Sequence, residues 1–332
     1  MNSELRVSSL DRMTDLGRVA LPTVVSFDTI DDRTWWYLRE SIWCHAAAMM
    51  TSAVTGLDHP MEEGNMTVQG ILNDLIAEQE ALDDVVASLS EDQWAQPTPS
   101  PGWTIADQIA HLTYFDATAA LAIRDTAAFI EHRAHLAELM ADPQAVEAET
   151  MGPLRALTGE GLLSEWRANR RALESAGRSL AEDARVEWYG PSMGAKSFLT
   201  ARLMEAWAHG QDVVDTLGAT RPASDRLRHI AQLGVITRGW SYINRGLDVP
   251  AGNVSVSLTA PSGETWEWNQ GDAEASVSGP AEDFCLVVTQ RRHVDDTRLV
   301  AEGELARDWL LQAQAFAGGA TDGPAAGTWR DN

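Results

Sequence analysis

From Met66 onward the chain repeats a helical pattern: Ile71, Leu72, Leu75, Leu82, Val85, Val86 and Leu89 recur at intervals of three and four. That spacing predicts an amphipathic helix with one apolar face. A loop of breakers follows, Gln96-Pro97-Thr98-Pro99-Ser100-Pro101-Gly102. Thr104 with Asp107 three residues on then predicts a helix start, with a capping hydroxyl and an acid in the first turn. The helix it opens carries Ile105, Ile109, Leu112 and Phe115 on one face, with His111 on or beside that stripe. Further helical patterns run from Phe129 to Met140, from about Gly161 to Leu180, from Ser197 to Leu217 before Gly218, and over 224–244.

After Gly246 the period changes. Residues 254–258 alternate strictly, as a half-buried strand does, and Thr265-Trp-Glu-Trp268 alternates again after the turn at Pro261 to Glu264. Residues 275–278 predict a third strand and 284–289 a helix or a buried strand. Residues 299–302 predict a last short strand, and Leu305 to Phe316 a final helix. This order predicts an α+β protein with four parts: residues 1–65 an N-terminal extension, weakly ordered or an over-long start; 66–246 a metal-binding helical bundle; 247–317 a small α/β domain; and 318–332 a flexible tail. Residues 1–65 hold Trp35, Trp36 and Trp43 without sustained periodicity.

Composition narrows the function. The 332 residues include 49 Asp and Glu against 25 Lys and Arg, a formal net charge of −24. Such a surface repels phosphate backbones and anionic lipid, so neither nucleic acid nor membrane is an expected partner. No stretch reaches the roughly 18 apolar residues of a bilayer span, and no secretory leader is visible. Only two cysteines occur, Cys44 and Cys285. That excludes a disulfide framework and a cysteine-rich zinc finger, and fits a cytoplasmic protein, monomeric or a small homo-oligomer. Any metal must then rely on histidine and carboxylate.

Glu205 and His209 stand four apart in a predicted helix. Their β-carbons would lie about 5–6 Å apart, close enough to share one ion. His111 is available as a third ligand from a facing helix. Two histidines and one carboxylate leave an open position for water or substrate, the pattern of a catalytic rather than a structural zinc. Asp107 and Asp212 stand within a turn of a histidine and could accept its second ring proton. On spacing alone a solvated helix face remains the alternative. His132 and His135 form a rival pair, read as solvated surface because their neighbours are charged.

Two segments add a resemblance: Gly102-Trp-Thr-Ile-Ala-Asp-Gln-Ile-Ala-His111-Leu and Glu205-Ala-Trp-Ala-His209-Gly-Gln-Asp212. They resemble the two signature stretches of the mycothiol-dependent maleylpyruvate isomerase family, a branch of the DinB-like metalloproteins. Similarity extends over about residues 67–317, through Trp266-Glu-Trp, the 277–283 segment and Gly303-Glu-Leu. The resemblance implies a DinB-like four-helix bundle and a small α/β, sterol-carrier-like C-terminal domain. It implies a divalent metal, zinc first, held by His111, Glu205 and His209.

It also implies a low-molecular-weight thiol, mycothiol, used for isomerisation or S-transfer on a small electrophilic substrate. An anionic substrate or thiol would need basic residues, and Arg238 and Arg291 are the candidate cofactor-binding positions. Arg245 and Arg292 are further basic residues, and Arg202 is expected to pair with a neighbouring acid. Two other functions stay open: a metal-dependent hydrolase, with Asp116 or Asp212 as base, and a non-catalytic metal- or ligand-binding protein.

Overall fold

A computed structural model describes residues 66–271 and 273–329. The reading of residues 1–65 therefore lies outside the described residues. Thr67 caps α1 (Val68–Val86), its side chain accepting from the Gly70 amide. Ser90 caps the short α2 (Glu91–Trp94). Helix α3 (Ile105–Arg124) starts where Thr104 and Asp107 predict, in a reciprocal capping box. The Thr104 hydroxyl accepts from the Asp107 amide, and the Asp107 carboxylate accepts from the Thr104 amide at 2.8 Å.

After α3 come α4 (Thr126–Leu139), α5 (Pro143–Thr150), α6 (Gly152–Arg155) and α7 (Gly159–Gly177). A two-stranded hairpin, β1 (Arg185–Val186) and β2 (Met193–Gly194), leads into α8 (Ala195–Leu217). Helix α8 stops at Gly218, whose φ of 58° lies in the left-handed region that glycine enters without penalty. The long helices pack as a closed ring: α1 touches α7 and α8, and α3 touches the same two.

One helix expected over 224–244 is two, α9 (Leu227–Ile236) and α10 (Arg238–Ile243). The break falls at Thr237, whose hydroxyl donates back to the Leu233 carbonyl at 2.8 Å. Such back-bonding bends helices, and Gly234 and Gly239 on either side resist it little.

The sheet runs in the order β4-β3-β5-β6. It comprises β3 (Val254–Thr259), β4 (Thr265–Trp268), β5 (Ala275–Pro280) and β6 (Val300–Glu302). Strands β3 and β5 are parallel, and the outer pairs antiparallel. Alternation aims Val254, Val256, Leu258, Trp266, Trp268 and Val277 at one buried face. Two helices cover it, α11 (Ala281–Val288) and α12 (Glu304–Gln312). The open choice at 284–289 resolves as helix, with Glu282 and Asp283 in its first turn.

Sheet and bundle share one apolar core, in which Phe198, Leu203, Ile230, Phe284 and Trp309 belong to a single cluster. Gly234 permits this, since a β-carbon there would stand 2.9 Å from Val288 on α11. Residues 318–329 form no helix or strand. Several of their groups are held nonetheless: Arg245 donates to the Thr321 carbonyl, Gln290 to the same oxygen, and Asp296 accepts from the Gly327 amide.

Candidate metal centre

Helices α3 and α8 run antiparallel, and each turns a polar stripe inward. On α8 it reads Arg202, Glu205, His209 and Asp212, all buried. Opposite it on α3 stand Gln108, His111 and Phe115. The partners meet in register: Gln108 with His209, His111 with Glu205, and Phe115 with Arg202.

His111, Glu205 and His209 each direct one donor atom to a common point, the three atoms lying within 4.8 Å of one another. Glu205 Oε2 stands 3.2 Å from His111 Nε2 and 3.1 Å from His209 Nε2. Ligands bound at about 2.1 Å to a tetrahedral ion stand about 3.4 Å apart, which this spacing approaches.

A chain of hydrogen bonds fixes which nitrogen of His209 carries the proton. Thr98 donates its hydroxyl proton to the Trp103 carbonyl, so its oxygen accepts from Gln108 Nε2 at 2.9 Å. Gln108 Oε1 is thereby the acceptor facing His209 Nδ1, at 2.5 Å. His209 must carry its proton on Nδ1 and turn the lone pair of Nε2 toward Glu205.

Burial, and after it the neighbouring His111, drives the His209 imidazole down to about 3, so the ring is neutral. Burial likewise lowers His111. Burial opposes ionisation of Glu205, but the two neighbouring imidazoles, His111 foremost, outweigh it and hold the carboxyl well below its usual range. A carboxylate therefore faces a histidine lone pair at hydrogen-bond distance with no proton on that nitrogen. A divalent cation resolves that conflict, and the donor set of two imidazoles and one carboxylate suits zinc.

Gln108 was not legible as a partner. The acids expected in that role have other partners: Asp107 caps α3 and pairs with Arg155, and Asp212 accepts from Ser100 at 3.0 Å and Arg291 at 2.9 Å. The only sequence signal for Gln108 is its place one turn before His111. Aromatic rings close the site. Trp103 stacks on His209 with centroids 5.8 Å apart, and Phe115 lies 4.6 Å from His111. Indole and phenyl thus exclude water from both imidazoles.

The family model of the mycothiol maleylpyruvate isomerase N-terminal domain matches residues 75–214. Two uncharacterised proteins of Mycobacterium tuberculosis, from two strains, are each 47% identical over 245 residues. The match covers 74% of this chain and 94% of theirs. The chain belongs to the mycothiol-dependent maleylpyruvate isomerase-like family. Its helical ring is the DinB-like bundle of that family, within an α+β chain. Crystal structures of the mycothiol-dependent maleylpyruvate isomerase, one of them a histidine-to-alanine variant, align with a TM-score of 0.47 at 17% and 18% identity. They cover 70% of this chain and 92% of those chains.

Around the family's bundle the remaining predicted positions separate. Arg291 is buried beside the centre, its guanidinium donating to Asp212 and to the Thr289 carbonyl at 2.7 Å. Its charge is felt by both imidazoles. With Ser100, Asp212, Phe316 and Trp329 it lines a cavity of about 300 Å³. Arg238 instead donates to the Pro250 and Gly252 carbonyls, tying down the turn before β3. Arg292 pairs with Asp215, and Arg245 with Asp322.

His132 departs from the solvated reading: it is half-buried, within 3.0 Å of the Tyr114 hydroxyl and 3.1 Å of the Tyr189 hydroxyl. Its surrounding helix is charged, yet its own ring turns inward onto Phe129 and Tyr189. His135 stays exposed, 3.7 Å from Glu149. No helix among the described residues is long and apolar enough to cross a membrane.

Asp116 gives the site a pH signature. It accepts from Gln79 at 2.8 Å and Trp166 at 3.2 Å, and burial pushes its carboxyl up to about 6 against the pull of Arg202. An unfolded Asp titrates near ~3.9, so between the two values the folded chain binds a proton that the unfolded chain does not. This group's contribution to stability must therefore rise as pH falls from about 7 to about 4, by about 3 kcal/mol at most. Asp116→Asn should remove that rise, read as the difference in urea midpoints between pH 7 and pH 4.5. Equal pH slopes in variant and wild type would contradict it.

Proposed function

We propose that the protein is a cytoplasmic, metal-dependent enzyme that uses a low-molecular-weight thiol for isomerisation or S-transfer on a small electrophilic substrate. The observation that carries this reading is the convergence of His111, Glu205 and His209, with the His209 tautomer preset by Gln108. These three residues would hold the metal, with zinc the best match to the donors. When bound, the metal lowers the pKa of a thiol and polarises a carbonyl. Mycothiol is the thiol named in the family to which the chain belongs.

The chain's own residues supply the remainder. Gln108 holds the His209 ring in one orientation through the Nδ1 proton. Trp103 and Phe115 keep water from the ligands, which strengthens every charge interaction there. Arg291, oriented by Asp212, sets a fixed positive charge beside the centre, suited to an anionic thiol or thiol adduct. Among the described residues the chain's own thiol takes no part: Cys285 is fully buried, and burial raises it well above the ordinary thiol range.

The hydrolase reading finds less support, because Asp116 and Asp212 are both engaged by buried donors. A direct test purifies the protein, determines its metal by elemental analysis, and follows electrophilic cis-alkenes with and without mycothiol. Stoichiometric metal and thiol-dependent turnover are expected. Turnover independent of every thiol would overturn the reading.

A further inference from the structure

The residues expected from the sequence to form a flexible tail run along the cavity that holds Arg291 and Asp212. Asp322, Gly323, Pro324 and Trp329 line it, together with Pro99 and Ser100 from the loop before α3. Three consecutive residues after α11 serve this chamber in turn. Gln290 holds the near end of the tail, Arg291 lines the cavity, and Arg292 meets the far end.

The two ends are held differently. At the near end Thr321 is buried, its carbonyl accepting from Gln290 Nε2 at 2.6 Å and from Arg245, and its amide donating to Gln314 at 3.3 Å. Gln290 takes a φ of 59°, a left-handed conformation that disfavours any residue with a side chain. Its side-chain amide is committed to this junction, donating to the Ala313 carbonyl at 3.0 Å as well.

At the far end a single, partly exposed carboxylate does most of the holding. Asp296 accepts from the Gly327 amide at 2.8 Å and from the Trp329 amide at 3.3 Å, and Arg292 Cζ stands 4.0 Å from the Trp329 ring. Residues 325–328 are exposed. A buried junction and a solvent-facing one open at different free energies, and the solvent-facing one opens first. Gly323 sits between them as a pivot. Its φ is 68°, and a β-carbon there would stand 3.1 Å from Gln290.

We propose that residues 323–329 are a gate over the Arg291–Asp212 cavity, pivoting at Gly323 and latched by Asp296 and Arg292. Shut, the chamber of about 300 Å³ lies at the small end of ligand clefts, so a larger ligand enters only with the latch released. The gate goes beyond the proposed function, and its test uses neither metal nor turnover.

Access is read by iodoacetamide labelling of Ser100→Cys, followed by mass spectrometry of the full chain. A Cys44→Ser background leaves Cys285 as the one other thiol, and it is fully buried. Ser100 is 6% exposed and lines the cavity with the tail, so the label should add slowly while the latch holds. Asp296→Ala and, separately, Trp329→Ala should each speed labelling by about 10- to 100-fold, because each releases part of the far end. Asp295→Ala should leave the rate unchanged, since that acid pairs with His293 and Arg307. Hydrogen exchange of the unmutated chain gives a second reading: the amides of Gly327 and Trp329 should exchange faster than that of Thr321.

Four results would each overturn the gate. They are labelling of the latched protein at the rate of an exposed cysteine, no acceleration in either latch variant, equal acceleration in Asp295→Ala, and exchange at Gly327 and Trp329 no faster than at Thr321.

Discussion

His209→Ala should purify without its divalent metal, and its thiol-dependent turnover should fall by roughly 1000-fold, the loss of several kcal/mol of charge stabilisation. The expectation follows from how little redundancy the centre has. Glu205 Oε2 is flanked by one imidazole nitrogen on each side, and no fourth His, Cys, Asp or Glu joins the group among the described residues. Removing His209 also strands Gln108 Oε1, buried and without its donor.

Gln108→Leu separates ligand from orienting group. It should keep all three ligands and still saturate, with metal affinity about 10–100-fold weaker. Elemental analysis and a competitive chelator titration check both variants. Stoichiometric metal in His209→Ala would place the metal elsewhere.

Trp166→Ala should cost about 3–5 kcal/mol and lower the melting temperature by about 10 °C. The indole is fully buried on α7, in an apolar cluster separate from that of the sheet, with Trp103, Ile109 and Leu163, and its Nε1 donates to Asp116. Truncation therefore opens a large cavity and takes a donor from a buried acid. Trp166→Phe keeps most of the volume and loses only the donor, so it should cost about 1–3 kcal/mol. Differential scanning calorimetry at pH 7 distinguishes the two. A Trp166→Ala protein melting within about 2 °C of wild type would mean that α3 and α7 close the gap, which their tight mutual packing opposes.

How much of this was legible in the sequence depended on whether a signal was local. The Thr104 and Asp107 start, the Gly218 stop and the alternating strands were readable because caps, left-handed glycine and two-residue periodicity act within a few positions. The break at Thr237 was not, since apolar spacing runs through it and only a hydroxyl's return to its own helix decides it. The metal centre was half legible. Four-residue spacing marked Glu205 and His209, and the resemblance supplied His111. The sequence could not show that an amide rather than an acid orients His209, because Gln108 and His209 are 101 residues apart. Nor could it separate Arg291, which reaches the centre, from Arg238, which ties down a turn. The arginines look alike until the partners of each guanidinium are known.

The breaker-rich loop before α3 has an unusual standing as a result. Surface loops are ordinarily where a lineage can insert, delete and drift at small penalty. Here the Thr98 hydroxyl and the Trp103 carbonyl are the far end of the relay that sets the His209 proton, and Gly102 takes a φ of 75° to bring the carbonyl round. An added residue between Pro97 and Gly102 would shift the relay before it disturbed any helix. The stretch that looks most permissive in the sequence is thus among the least free to vary in length.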